Sequence, residues 1–261
     1  MHPIFIITYA AFAAMVTLLF SFLVRVVRKD TALPGGRIIP VPIVEVALVL
    51  VLVAASLYFS PPKLAWAFAI NALIIGLGWL LMSRHGVLLK PLLGIPWNPL
   101  RTLATAFWIS LALCPLAGFL VVINQYLCKT LELPSEGQSL HDILLHSNDF
   151  PLLAKVIVLS IIIAPAAEEF LVRAVVQSAL RQYMNASAAI ILTSILFSAL
   201  HLTPSVFLPL MFNGIVFGIA FERKGSLPFN ILIHSCSNVL FIIVTFAERF
   251  YGQPGTLPGL G

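Results

Sequence analysis

Residues 161–173 read IIIAPAAEEFLVR, which places two adjacent glutamates and an arginine inside one of the most apolar parts of the chain. A charged side chain at the centre of a bilayer costs at least ~2.5 kcal/mol on insertion scales, so such groups face a partner or a water-filled cavity rather than lipid. Glu168, Glu169 and Arg173 therefore predict a polar site inside a membrane bundle. Composition agrees with that class: of 261 residues, 60% are hydrophobic and only 10% charged, and the mean hydropathy is +1.04, outside the usual range of soluble domains. A hydrocarbon core of ~30 Å takes about 20 apolar residues per helix. The apolar runs here are continuous rather than alternating, which selects helices over a barrel. The predicted fold is all-α, a polytopic bundle of about eight transmembrane helices over 3–24, 41–59, 64–82, 102–127, 151–183, 186–202, 206–221 and 228–247.

The formal net charge of +5 does not point to nucleic acid, because the basic residues sit at the ends of apolar runs. Arg25, Arg28, Lys29 and Arg37 lie in one connection, Arg84, Lys90 and Arg101 in another, and Arg181, Arg223 and Lys224 mark later turns on the same side. The opposite connections hold Lys63 alone, or Lys129 against Glu132, Glu136, Asp142 and Asp149. By the positive-inside rule the basic loops are cytoplasmic, and eight spans then put both termini outside. The opening run MHPIFIITYAAFAAMVTLLFSFLV has no basic leader and is longer than a signal-peptide core, so it reads as a retained span. Cys114, Cys128 and Cys236 form no CxxC pair and make an odd set, so they read as small packing residues. The apolar, proline-broken segment 86–100, with Trp97, predicts a short surface or re-entrant helix. With no long repeat, one integral-membrane domain is expected: residues 1–149 without a signature, a core over 150–247, and a flexible tail over 248–261.

Polar residues recur on the apolar helices of the C-terminal half: Glu168, Glu169 and Arg173, then His201 at the end of FSALH, then His234 and Asn238 in HSCSN. Glu169 and Arg173 are four apart with the acid first, the favourable order for a same-face ion pair. His234 and Asn238 are also four apart and share a face. Glu168 is rotated about 100° from Glu169, which divides the labour: Glu169 with Arg173 for structure, Glu168 for chemistry. If the turn between the fifth and sixth spans centres on Met184 and Asn185, Glu168 and His201 both lie roughly 25 Å from it. They are then expected to meet across an antiparallel hairpin. A carboxylate beside an imidazole can position a water and accept its proton, and a second imidazole with an amide can donate to a developing oxyanion. These are the parts of amide hydrolysis by activated water.

Structural readings compete at each position. A single intramembrane histidine is as often a satisfied interhelical hydrogen bond, and a buried Glu–Arg pair is more often a clamp than a catalyst. Phe197, four residues before His201, reads as core and as a cavity wall, while Ser235 and Cys236 read as packing residues. Intramembrane Glu and His also mark proton relays, but no repeated half is evident; Glu45, alone in the second span, would be the residue to watch there and otherwise makes one interhelical hydrogen bond.

The motifs EEFLVR, FSALH and HSCSN, in that order, fit EExxxR, FxxxH and HxxxN, and the connection FGIAFERKGSLPFNILIH is similar as well. Over about 150–245 the chain resembles the CAAX-processing and bacteriocin-processing (CPBP, or Abi) family of intramembrane proteases, related to the Ras-converting CAAX endopeptidase. The resemblance implies a hydrolase that cuts a peptide bond within a membrane cavity, in a membrane-embedded or lipidated protein or peptide. It implies Glu168 and His201 as the water-activating pair, His234 and Asn238 as oxyanion donors, and Glu169 and Arg173 as support. Family members are described both as metalloproteases and as glutamate-dependent proteases. Zinc would take Glu168, His201 and His234, but the HExxH spacing is absent, so metal-free catalysis is favoured. Non-catalytic scaffold or immunity roles in the family form the alternative. The expected setting is a prokaryotic plasma membrane with the cavity toward the cytoplasm.

Overall fold

The computed structural model describes residues 39–59, 64–133 and 139–251. The expected first span, 3–24, and the tail beyond Tyr251 lie outside the described residues. Eight helical segments follow in order: α1 (Ile43–Phe59), α2 (Leu64–Arg84), α3 (Pro99–Thr130), α4 (Ser139–His146), α5 (Phe150–Leu180), α6 (Ala186–Leu200), α7 (Phe207–Lys224) and α8 (Leu227–Tyr251). No strand occurs among the described residues. The protein is an integral-membrane helical bundle. Among the described residues five helices (α2, α3, α5, α8, and α7 with the 3-10 turn before it) are long and apolar enough to cross a membrane, whereas α1 and α6 are shorter apolar helices.

Local sequence sets the boundaries. Asn98 and Pro99 start α3, with the Asn98 carboxamide oxygen accepting from Arg101 N–H at 2.8 Å. Asp149 starts α5 in the same way, accepting from Leu152 N–H at 3.0 Å. Gly225 ends α7 at φ +58°, the left-handed conformation that costs a glycine little. Val46, Val49 and Val53 on α1 join Ile70, Ile74, Leu81 and Met82 on α2 and the buried face of α5 in the main apolar cluster. Glu45, expected to make one interhelical hydrogen bond, instead meets His85 Nε2 of the turn after α2 at 3.1 Å.

Two connections differ from the sequence reading. Segment 86–100 carries no surface helix beyond one 3-10 turn, Lys90–Leu92; it is instead fastened to the α7–α8 turn, where Ser226 Oγ donates to the Gly94 carbonyl at 2.5 Å. The connection 128–150 contains α4, and helix α8 continues through Glu248 and Arg249 into the expected tail. Arg249 donates to the carbonyls of Leu144 (3.1 Å) and Ser147 (2.7 Å), satisfying orphan acceptors at the end of α4.

The α6–α7 pair is packed through glycines. A Cβ added at Gly214 would lie 3.1 Å from the Ser194 Cα, and one at Gly218 would lie 3.0 Å from Ile190 Cγ2. Gly214→Ala is therefore expected to cost about 1–3 kcal/mol. Gly76→Ala, with nothing within 4 Å of the new methyl, is the neutral control. Denaturant unfolding in detergent checks the order. Helix α6, at 15 residues, is only ~22 Å long, short of a ~30 Å core. Rising from the turn that carries Arg181, it ends at His201 within the membrane thickness.

Candidate active site

Helix α5 is not a regular α-helix where it carries the polar residues. Wider π turns run over Leu159–Ile163 and Phe170–Gln177, flanking an α segment, Ala164–Glu169. Such bulges mark functional sites, and a cause is visible in the sequence. Pro165 has no N–H to give, so it leaves the carbonyl four or five residues back without its helical donor. Both candidate positions are covered by α8: Ser235 Oγ donates to the Ile161 carbonyl at 2.6 Å, and Asn238 Nδ2 donates to the Ser160 carbonyl at 2.8 Å. Ser235 is thus a docking residue rather than plain packing. Asn238 spends one of its two amide hydrogens on the backbone of α5.

Immediately after this joint the two glutamates diverge. Glu169 is fully buried, while the Glu168 side chain keeps 25% of its surface open. Glu169 Oε2 accepts from Arg173 Nε at 3.2 Å and from Asn230 Nδ2 at 2.9 Å. Its other oxygen, Oε1, lies 3.1 Å from His234 Nδ1. A carboxylate can only accept there, so the Nδ1–H of His234 points at Glu169 and Nε2 points the other way. Nε2 lies 3.7 Å from Glu168 Oε2, too long for a direct hydrogen bond but short enough for both to hold one small group between them. His234 is therefore held between a buried carboxylate and an open one.

Phe197, 2% exposed, is the common wall. Its ring centroid is 4.8 Å from that of His201, 5.8 Å from that of His234 and 5.9 Å from the Arg173 guanidinium carbon. His201 Nδ1 donates to the Phe197 carbonyl at 2.8 Å, which leaves Nε2 as its free nitrogen. The structure thus gathers Glu168, Glu169, Arg173 and His234 by polar contacts and places His201 beside them across one ring. Among the described residues no hydrogen bond or ion pair joins Glu168 to His201.

The turn that presents His201 is anchored by a residue from the first half of the chain. Asn124, 4% exposed on α3, donates to the Pro204 carbonyl at 2.6 Å and accepts from Leu208 N–H at 3.1 Å. Ser198 Oγ donates to the Phe207 carbonyl at 2.5 Å, Thr203 Oγ1 to His201 O at 2.9 Å, and Leu202 takes φ +53°. Beside this turn a pocket of about 520 Å³, mostly apolar, is lined by Leu127, Leu131, Leu202, Phe207 and Leu208. Asn124→Leu leaves two backbone groups unpaired and is expected to cost about 1–3 kcal/mol. Thermal or denaturant unfolding in detergent checks this.

Sequence reading missed three members of the buried network. Asn230 is fully buried and ties Glu169 to the Phe217 carbonyl, to which it donates at 2.8 Å. Gln177, also fully buried, accepts from Arg173 Nη1 at 3.3 Å and donates to Glu222 Oε1 at 3.0 Å. Glu222, 1% exposed, pairs with Arg181 Nε at 3.4 Å. A signal was present: Glu169, Arg173, Gln177 and Asn230, His234, Asn238 are two stripes at four-residue steps, each one position longer than the pair first singled out.

Zinc would need Glu168, His201 and His234 as one ligand set, but among the described residues no three His, Cys, Asp or Glu side chains are grouped to hold a metal ion. Residues 150–240 match the family described as type II CAAX prenyl endopeptidase Rce1-like. Over that segment the chain is similar to the Rce1-like family. This is the part that carries Glu168, Glu169, Arg173, His201, His234 and Asn238. Comparison with curated proteins and with solved structures gives no match. The matched family is one of CAAX-type proteases, and the apolar helices place the chain in a bilayer.

Proposed function

We propose that the protein is an intramembrane endopeptidase that hydrolyses a peptide bond in a membrane-embedded or lipidated, CAAX-like substrate. The observation that carries the reading is the open Glu168 carboxylate facing His234 Nε2 at 3.7 Å, with the far side of the imidazole fixed by buried Glu169. Glu168 takes the proton of a water that attacks the scissile carbonyl carbon. His201 Nε2, free at the end of α6, helps to orient that water. In its imidazolium form His234 donates from both nitrogens, so Nδ1–H stays on Glu169 while Nε2–H meets the oxygen that becomes negative. The second amide hydrogen of Asn238 supplies another donor. Glu168 then returns its proton to the leaving amine, which closes the proton balance. The apolar pocket beside the His201 turn suits an apolar part of the substrate.

Orientation follows from the charges. His234 is seven residues into α8, ~10 Å from the end that carries Arg181, Arg223 and Lys224, and the positive-inside rule makes that end cytoplasmic. A scaffold reading draws on the full burial of Glu169 and Arg173 and the 3.2 Å pair between them, a pattern that also serves a clamp. The test is to profile protein termini in membranes of cells that express wild type or Glu168→Gln at matched levels. New termini only with wild type are expected and would name the substrate; none from either protein, both folded and abundant, would favour the scaffold.

A further inference from the structure

The basic end of the bundle holds a second polar arrangement, unrelated to the Glu–His cluster. Trp97, in the connection before α3, is half-buried against Phe229 in an edge-to-face contact at 5.5 Å. The Ser226–Gly94 hydrogen bond fixes the same segment on the α7–α8 turn. Two cations from distant parts of the chain meet on this ring: Lys224 Nζ lies 4.3 Å from the centroid and Arg101 Cζ 5.4 Å from it. Both are within cation–π range. These distances keep the two charges within about 10 Å of each other, inside one Debye length at ordinary salt. Both side chains are exposed, and among the described residues neither joins an ion pair. The fold therefore holds two like charges together without a carboxylate between them.

We propose that Trp97, Arg101 and Lys224 form the headgroup site of an anionic phospholipid. What selects a lipid over a free anion is the surface that begins at the same level. Trp108, 64% exposed, lies seven residues beyond Arg101 on the same face of α3, and Leu111, 38% exposed, follows it three residues later. A phosphate oxygen bridging the guanidinium and the ammonium leaves its acyl chain on this stripe. Tryptophan belongs at that level because its ring suits the headgroup boundary, and Arg can take two phosphate oxygens at once. The site lies outside the segment matched by the family over Trp97 and Arg101, and it is independent of whether the protein cleaves peptides.

The full chain is reconstituted in nanodiscs of equal phosphatidylglycerol and phosphatidylcholine, released into detergent and weighed with its retained lipid by native mass spectrometry. Wild type is expected to retain phosphatidylglycerol over phosphatidylcholine by about tenfold, as two nearby cations imply. The double variant Arg101→Gln/Lys224→Gln should fall to the bulk ratio, while Arg101→Lys/Lys224→Arg should keep the preference. Equal retention of both lipids by wild type overturns the proposal, as does an unchanged preference in the Gln variant with its helical circular dichroism intact. Inorganic phosphate at millimolar concentration should leave the lipid bound; displacement by phosphate alone would reassign the site to a soluble anion.

Discussion

Glu168→Gln is expected to lower peptide cleavage by about 10²–10⁴-fold, the usual contribution of a positioned general base, while the protein unfolds at the same denaturant concentration as wild type. The amide keeps the shape of the side chain but has no lone pair basic enough to take a proton from water. Stability should not follow the rate, because Glu168 retains open surface and its one ionic contact, with His234 Nε2, is long at 3.7 Å. Single-turnover assays on protein with confirmed helical content separate chemistry from substrate binding. Cleavage at the wild-type rate in Glu168→Gln would remove Glu168 from the reaction and with it the water-activation scheme.

Arg173→Ala should do the reverse, acting on the fold first. Arg173 and Glu169 are both fully buried and joined at 3.2 Å. Removing one partner leaves a buried charge uncompensated, a change that costs about 3–5 kcal/mol against a total stability of about 5–15 kcal/mol. The loss also reaches Gln177 and Thr193, each 3.3 Å from Arg173 Nη1. Unfolding in detergent should show the drop, together with poor accumulation in membranes. The double variant Glu169→Gln/Arg173→Met should lose less than the sum of its single changes, since neither charge is then stranded. A loss below ~1 kcal/mol for Arg173→Ala, the level of an exposed pair, would show that the pair does not hold the helices together.

These two expectations differ in kind although the residues lie five positions apart, and the difference was already visible in the chain. Helical spacing alone put Glu169 with Arg173 and turned Glu168 away from them. The same one-dimensional reading extended poorly to His201. Equal depth on an antiparallel hairpin is a statement about height only, whereas the wider π turns on either side of Pro165 and the ring of Phe197 decide which side chains face each other at that height.

By itself the sequence determined the class of the protein and the positions of its apolar helices from α1 onward, because a bilayer demands long apolar runs and closes every backbone hydrogen bond within the helix. It also determined the order of the three motifs and the Glu169–Arg173 pair, both of which depend on residues close in the chain. Tertiary structure alone decided the rest. Helix α4 is too short to stand on its own periodicity and is strapped to the end of α8 by Arg249, about a hundred residues away. Asn124 holds the His201 turn from across 80 residues, and Ser235 and Asn238 cap the carbonyls of Ile161 and Ser160 in the turn before Pro165. Trp97 gathers two cations that the chain keeps far apart. Each of these depends on which faces meet when the helices pack, and a hydrogen bond between distant segments leaves no mark in the spacing of either one.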